Sequence, residues 1–383
     1  MRAPDPPVNA GDATTAPGRG HSLCLETITH RFGLTTAVRD VSLDVSAGEL
    51  VALLGPSGCG KSTLLRIIAG FIRQSEGRVY YDGETVDHLP PNRRGAGIVF
   101  QNYALFPHMT AAQNIAYGLE ARGDARASVR ARVAEMLALV QMVELADRYP
   151  GQLSGGQQQR IALARALAVE PKILLLDEPF GALDKNLRLD MQVEVKRLQR
   201  LYGITTIMVT HDQEEALGMA DRIAVLNRGA VEQFANPVEV YDRPATLFVN
   251  QFVGTTNLLP GTVESIDGDA CKIGFAGGES LICRANGFRV GARVVLSIRP
   301  ERLRLTASPG PSRLRAKIGL IMPLGPTLVY DLTLASGTPV RVAAPRPELA
   351  AVPASGSDVF IEPAAIDACL LYPEPASQQG EQQ

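Results

Sequence analysis

The run Glu49-Leu50-Val51-Ala52-Leu53-Leu54, then Gly55-Pro56-Ser57-Gly58-Cys59-Gly60-Lys61-Ser62, then Thr63 through Phe71, decides how this chain folds. The first six residues form a short apolar run that ends at a glycine, as a buried strand does. Lys61–Phe71 carries apolar residues at helical spacing. The eight residues between match Gly-x-x-x-x-Gly-Lys-Ser/Thr in the context that motif needs, a strand before and a helix after. Glycines let backbone N–H groups face phosphate oxygens, Lys61 can reach the outer phosphates, and the Ser62 hydroxyl can ligate Mg2+. The competing reading is a plain glycine-rich turn. Gly55, Pro56, Ser57, Gly58, Cys59, Gly60, Lys61, Ser62 and Thr63 are therefore the candidate nucleotide contacts. Cys59 has two readings, a space-filler or a reactive thiol activated by a helix N-terminus and shielded by nucleotide.

Working outward, Ile98–Phe100, Ile173–Leu176 and Ile204–Thr210 are further buried-strand candidates, alternating with helical segments. That alternation predicts an α/β domain with a largely parallel sheet over residues 22–250. Residues 102–170 break it and read as helical, with Val129, Val133, Met136 and Val140 on one stripe. They form a helical subdomain inserted in the core. After about residue 250 helical periodicity disappears. Leu328, Tyr330, Leu332 and Leu334 alternate with Val329, Asp331 and Thr333, and Asp267-Gly268, Gly277-Gly278 and Ser336-Gly337 offer turns. A small β-barrel of oligonucleotide/oligosaccharide-binding (OB) shape is expected over 251–373. Residues 1–21, without the apolar core of a signal peptide, read as a disordered leader, and 374–383 as a disordered polar tail.

Composition bounds the function. The 383 residues suit two or three domains, and 45% apolar content can build sizeable cores. A net charge of −2 gives no basic excess for a nucleic-acid partner. Five cysteines without CxxC spacing argue for a reduced chain rather than a disulfide framework or zinc site. No apolar stretch reaches the roughly 18 residues of a spanning helix. If the chain serves transport, other subunits must form the pore.

Further residues bear on chemistry. Ile173–Leu176 runs into Asp177 and Glu178. Asp177 is placed to hold a Mg2+ shell and Glu178 to act as general base on an attacking water, although many strands end in acidic turns. In Leu153-Ser154-Gly155-Gly156-Gln157, Ser154 can cap a helix beginning at Gly155 and aim bare N–H groups and the helix dipole at an anion. An ordinary Ser-Gly-Gly cap is the alternative. Gln101 ends a strand and His211 follows another. Asp184 can cap the next helix, and Asp212 reads as a cap with Glu215 completing a capping box. Phe32, taken by itself, reads as a core aromatic.

Taken together over residues 22–245, these motifs resemble the ATP-binding cassette (ABC) ATPases, in which a Leu-Ser-Gly-Gly-Gln run lies between a phosphate loop and an acidic strand end. The resemblance implies ATP and Mg2+ as ligands, with Ser62, Gln101 and Asp177 around the metal. It implies Glu178, Gln101 and His211 as catalytic residues and Phe32 on the adenine. Ser154, Gly155, Gly156, Gln157 and Asp184 would serve a nucleotide held by a second copy of the chain or a paralogous ATPase subunit. Ser297-Ile298-Arg299-Pro300-Glu301-Arg302, Phe252–Asn257 and Leu324-Gly325-Pro326 resemble the accessory TOBE domain of bacterial import ATPases. That domain would either brace a dimer or sense a small ligand. With Phe100–His108, the pattern resembles the spermidine/putrescine branch. Branches for 2-aminoethylphosphonate, ferric iron, thiamine, sulfate or sugars are the alternatives, and a soluble non-transport ABC ATPase is the alternative of another class. The implied partners are two transmembrane permease subunits and, indirectly, a periplasmic or lipid-anchored solute-binding protein. The implied location is peripheral, on the cytoplasmic face of the bacterial inner membrane.

Overall fold

The computed structural model describes residues 20–181, 183–346 and 353–374. Most of the expected leader and tail therefore lie outside the described residues. Contacts divide the chain after Arg243, slightly before the break expected near 250.

The first unit runs in chain order through β1 (Leu23–Phe32), β2 (Thr35–Val45), β3 (Leu50–Leu54), α1 (Lys61–Ala69), β4 (Glu76–Tyr81), β5 (Glu84–Thr85) and β6 (Ala96–Val99). It continues with α2 (Ala111–Ala121), α3 (Arg126–Leu139), α4 (Gly155–Ala168), β7 (Ile173–Asp177), α5 (Lys185–Tyr202) and β8 (Thr205–Thr210). It ends with α6 (Gln213–Met219), β9 (Arg222–Asn227), β10 (Ala230–Ala235) and α7 (Pro237–Asp242). The central sheet has the order β10-β9-β3-β8-β7-β6. Its strands are parallel except β10, which runs antiparallel to β9. Strand β3 is apolar throughout and buried at every residue, as a strand covered on both faces must be.

A second, antiparallel sheet has the order β2-β1-β4-β5. Leu23, Val41, Leu53, Leu64, Ile68 and Leu175 place both sheets and α1 around one core. Helix α1 stops at Gly70, in the left-handed region at φ 85°. The buried Arg94 donates from Nη1 to the Ile67 and Ile68 carbonyls at 2.8 and 3.1 Å, joining the Gly70 N–H at the first and the Tyr81 hydroxyl at the second. Helices α2, α3 and α4 pack on one another. The stripe Val129, Val133, Met136 and Val140 is buried among them, as the spacing predicts. Asn114, fully buried on α2, staples the preceding loop by donating to the Phe106, Met109 and Thr110 carbonyls and accepting from the Phe106 N–H.

The second unit contains α8 (Leu247–Phe252), β11 (Asn257–Asp267), β12 (Ala270–Gly274), β13 (Ser280–Arg284), β14 (Arg293–Ile298) and β15 (Leu303–Thr306). It continues through β16 (Leu314–Leu324), β17 (Thr327–Leu334), β18 (Pro339–Pro345), β19 (Asp358–Pro363) and β20 (Cys369–Pro373). These strands make two antiparallel five-stranded sheets, β13-β12-β11-β14-β20 and β15-β19-β16-β17-β18. Leu296 and Ile273 of one sheet share a core with Leu332 and Ile361 of the other. Leu328, Tyr330, Leu332 and Leu334 all point inward, as their alternation requires.

Candidate active site

Parallel strands bring their carboxyl ends to one edge of a sheet, where open α/β sheets bind ligands. Here that edge gathers the loop after β3, Gln101 after β6, Asp177 and Glu178 at the end of β7, and His211 after β8.

The loop after β3 is tight. A Cβ on Gly55 would lie 2.4 Å from the Leu226 carbonyl oxygen, and one on Gly60, where φ is 103°, would lie 2.4 Å from that of Ala37. Only glycine fits either place. Ser57 and Gly58 form the exposed crest, whereas Lys61 is buried with Nζ donating to the Gly55 and Pro56 carbonyls at 2.6 and 2.9 Å. Helix α1 begins with no side-chain cap, so its first N–H groups can face an anion. Cys59 departs from the reactive reading. Its side chain is buried, and that burial pushes the thiol above its ordinary value despite Lys61 beside it. The helix N-terminus is outweighed by lost solvation.

Ser62 on α1 and Asp177 on β7 meet, with Ser62 Oγ 3.2 Å from Asp177 Oδ1. Burial raises the Asp177 carboxyl above its ordinary value, partly opposed by the Ser62 hydrogen bond and by Arg66. Among the described residues no cluster of three or more His, Cys, Asp or Glu side chains makes a ready cage for a metal ion. Two hard oxygen donors side by side are the sparse set that Mg2+ takes when phosphate and water fill the rest of its shell. The residues present fit that ion.

Glu178 is the next residue, and its backbone turns into the left-handed region at φ 46°. Its N–H donates to the Val209 carbonyl at 3.0 Å. Its Oε2 accepts from Gln101 Nε2 at 3.2 Å and lies 3.3 Å from His211 Nδ1. Three residues from three strand ends thus meet at one carboxylate oxygen, with the His211 side chain 60% exposed. Phe32, 53% exposed, is not the core residue that the competing reading made it, and His30 meets its ring edge-on at 4.5 Å.

Ser154 caps α4, and the cap is reciprocal. Ser154 Oγ accepts from the Gln157 N–H, and Gln157 Oε1 accepts from the Ser154 N–H at 2.9 Å. Ser154 and Gly155 are exposed, while Gly156 is buried against Leu187 at the start of α5. Asp184 caps α5 by accepting from the Leu187 N–H at 3.0 Å; its neighbour Ala182 lies outside the described residues. Asp212 caps α6. The expected capping box with Glu215 is not formed, because Glu215 is buried and accepts from Thr210 Oγ1 instead.

Sequence reasoning missed Arg165. From α4 it donates to the Tyr103 and Ala104 carbonyls at 2.9 and 2.7 Å, tying the loop after Gln101 to the helix that Ser154 caps. An arginine on a helix gives no pattern that would single it out.

Comparison with known proteins agrees with this layout. The family model described as ABC transporter matches residues 38–181, and the TOBE domain model matches residues 296–371. The spermidine/putrescine import ATP-binding protein of Roseobacter denitrificans is 54% identical over 279 residues, 73% of this chain and 77% of that protein. The chain belongs to the ABC transporter ATP-binding proteins. The protein of the same description from Rubrobacter xylanophilus is 50% identical over 323 residues, 84% of this chain and 85% of its own length. A dimeric ATP-binding cassette solved in a post-hydrolysis state with ADP and Pi aligns at TM-score 0.51 and 35% identity, covering 56% of this chain and 98% of that one. This ABC protein is therefore an ATPase, with a cassette followed by an all-β TOBE region.

Proposed function

We propose that this chain powers uptake of a polyamine, spermidine or putrescine, through separate membrane permease subunits. The observation that carries the hydrolytic part is the meeting of Gln101, Glu178 and His211 beside the loop 55–62. The curated relatives, named for spermidine/putrescine import and covered over most of their length, support the cargo.

In this reading ATP lies with its phosphates on residues 55–63 and its adenine on Phe32. Ser62, Asp177 and Gln101 would hold Mg2+, which when bound would neutralise phosphate charge. Glu178 takes a proton from the attacking water as the water oxygen bonds to the γ-phosphorus and ADP leaves. Gln101 and His211 orient the Glu178 carboxylate and the γ-phosphate. Ser154, Gly155, Gly156, Gln157 and Asp184 of a second copy close over the same nucleotide. The dimeric cassette of similar fold supports that arrangement. The permeases supply the path in this reading; no helix among the described residues is long and apolar enough to cross a membrane. The chain then works at the cytoplasmic face of the membrane, and a solute-binding protein delivers the cargo from outside.

Two measurements test this. The purified chain should hydrolyse ATP without an acceptor, and Glu178→Gln should lower turnover roughly 10²–10⁴-fold, the scale of a general base. Cells lacking the protein should lose radiolabelled spermidine or putrescine uptake and regain it with the wild-type chain but not with Glu178→Gln. Unchanged uptake in the deletion strain would sink the cargo assignment.

A further inference from the structure

His211 is held at both neighbours by a network outside the motifs above. Thr210 Oγ1, at the end of β8, accepts from the Asp212 N–H at 3.0 Å and donates to Glu215 Oε2 at 2.6 Å. Asp212 Oδ2 in turn accepts from Arg188 Nη1 at 3.1 Å, and Glu215 Oε1 lies 4.0 Å from Arg188 Nε. The same guanidinium donates from Nη2 to the Leu183 carbonyl at 3.2 Å. Leu183 belongs to the turn that Asp184 ends. It lies against the exposed start of α4, its Cδ2 3.6 Å from the Cβ position of Gly155. Leu187, in the first turn of α5, packs on Gly156.

One rigid fork thus reaches the turn beside α4 and the loop beside His211. Arginine suits the task because its planar donors keep a fixed geometry, which a lysine ammonium cannot. Glu215 is a costly choice for stability alone. Its side chain is 5% exposed, and a buried carboxylate loses solvation that an apolar residue of similar size would not. What it contributes is placement, fixing Thr210 from one side while Arg188 fixes Asp212 from the other.

We infer that Arg188 and Glu215 are positioning residues, a clamp that sets His211 against Glu178 and carries displacements of the Leu183–Asp184 turn to it. The inference rests on the hydrolytic reading proposed above. A ligand or partner pressing on the exposed Ser154–Gly155 helix start would move Leu183, and Arg188 would pass that movement to Asp212. His211 itself needs no contact with the partner.

The test uses the full chain with Arg188→Met and Glu215→Gln, each alone and combined with His211→Ala. With His211 present, each variant should lower kcat roughly 10- to 100-fold, the scale of a misplaced catalytic group, with KM for ATP within about two-fold. In the His211→Ala background the same substitutions should change kcat less than about two-fold, since the group they position is gone. A second readout is independent of turnover. Amide exchange over residues 210–216 should be faster in Arg188→Met than in the wild-type chain. Wild-type kcat in Arg188→Met, equal losses in both backgrounds, or unchanged exchange would each overturn the clamp. A wild-type chain that hydrolyses no ATP, with exchange still faster in Arg188→Met, would overturn the hydrolytic reading and leave the clamp as a structural device only.

Discussion

Glu178 holds a backbone conformation that a side chain rarely adopts, at φ 46°. Such a residue costs of order 1–3 kcal/mol and persists only where its surroundings fix it, here through the Val209 carbonyl on one side and the Gly181 N–H on the other. The turn lifts its carboxylate off the line of β7, where Asp177 stays against Ser62. Two adjacent acids therefore get different surroundings. Burial raises the Asp177 carboxyl, so in the native chain it binds a proton more readily than in the unfolded chain. As pH rises from the ordinary carboxylate range, about 4, through the raised native value, the folded state must lose a proton that the unfolded chain has already lost. Stability falls across that window. Asp177→Asn removes that dependence, so its melting temperature relative to wild type should climb as pH rises from about 4 through the raised native value, even as nucleotide-dependent activity is lost. A flat difference across that range would show that Asp177 carries no such burden. At this scale the sequence was most readable where a residue sits in a spacing rule, as Lys61, Ser62, Asp177 and Glu178 do. Arg165, Arg188 and Glu215 were not legible, because their roles arise from contacts between separate elements that no local pattern records. For Cys59 the sequence left two readings open, and burial favours the space-filler: the position of a helix N-terminus can be read, but how deeply the neighbouring side chains bury a thiol cannot.

Among elements, the contact of α4 with α5 bears directly on where the Ser154 cap points. A Cβ on Gly156 would lie 2.8 Å from Leu187 Cδ2, closer than real Cβ atoms come, so the end of a leucine side chain must give way or α4 must shift. Gly156→Ala should therefore cost about 1–3 kcal/mol, the range of small-to-large changes in packed cores, and should lower ATP turnover because the helix start moves with it. Adding Leu187→Ala makes room, so the double variant should recover turnover relative to Gly156→Ala. A double variant as impaired as the single one would mean that the glycine is needed for something other than space. The elements themselves were legible in proportion to their regularity. Strands β3, β7 and β8 fall within a residue or so of their apolar runs, and the stripe on α3 gave the helical subdomain. The β2-β1-β4-β5 sheet was not foreseen. Its β1–β2 pairing shifts register at Leu25/Ile28, Ile28/His30 and His30/Arg31, with Thr27 and Asp40 at positive φ, so the two-residue alternation that marks a strand is broken.

For the whole molecule, the sheet edge that gathers Gly55–Ser62, Gln101, Glu178 and His211 is one half of the site, and the capped start of α4, with Ser154 and Gly155 exposed, is the other candidate phosphate contact. In the reading proposed above, a nucleotide sandwiched between that helix start and the phosphate loop of a second copy would make ATP itself part of the interface. Bound ATP would then stabilise the dimer by mass action, and hydrolysis would remove the stabilisation. Replacing the base without disturbing the binding residues should halt the cycle at the closed stage. With ATP and Mg2+, Glu178→Gln should show twice the monomer mass by light scattering, whereas ADP or nucleotide-free samples should not. Ser154→Arg in the same background places a cation and a long side chain where the helix start must approach phosphate, and it should return the chain to monomer while leaving α4 folded by circular dichroism. A Glu178→Gln chain that stays monomeric with ATP, or a dimer indifferent to Ser154→Arg, would separate the Leu153–Gln157 motif from nucleotide binding and confine the active site to a single chain.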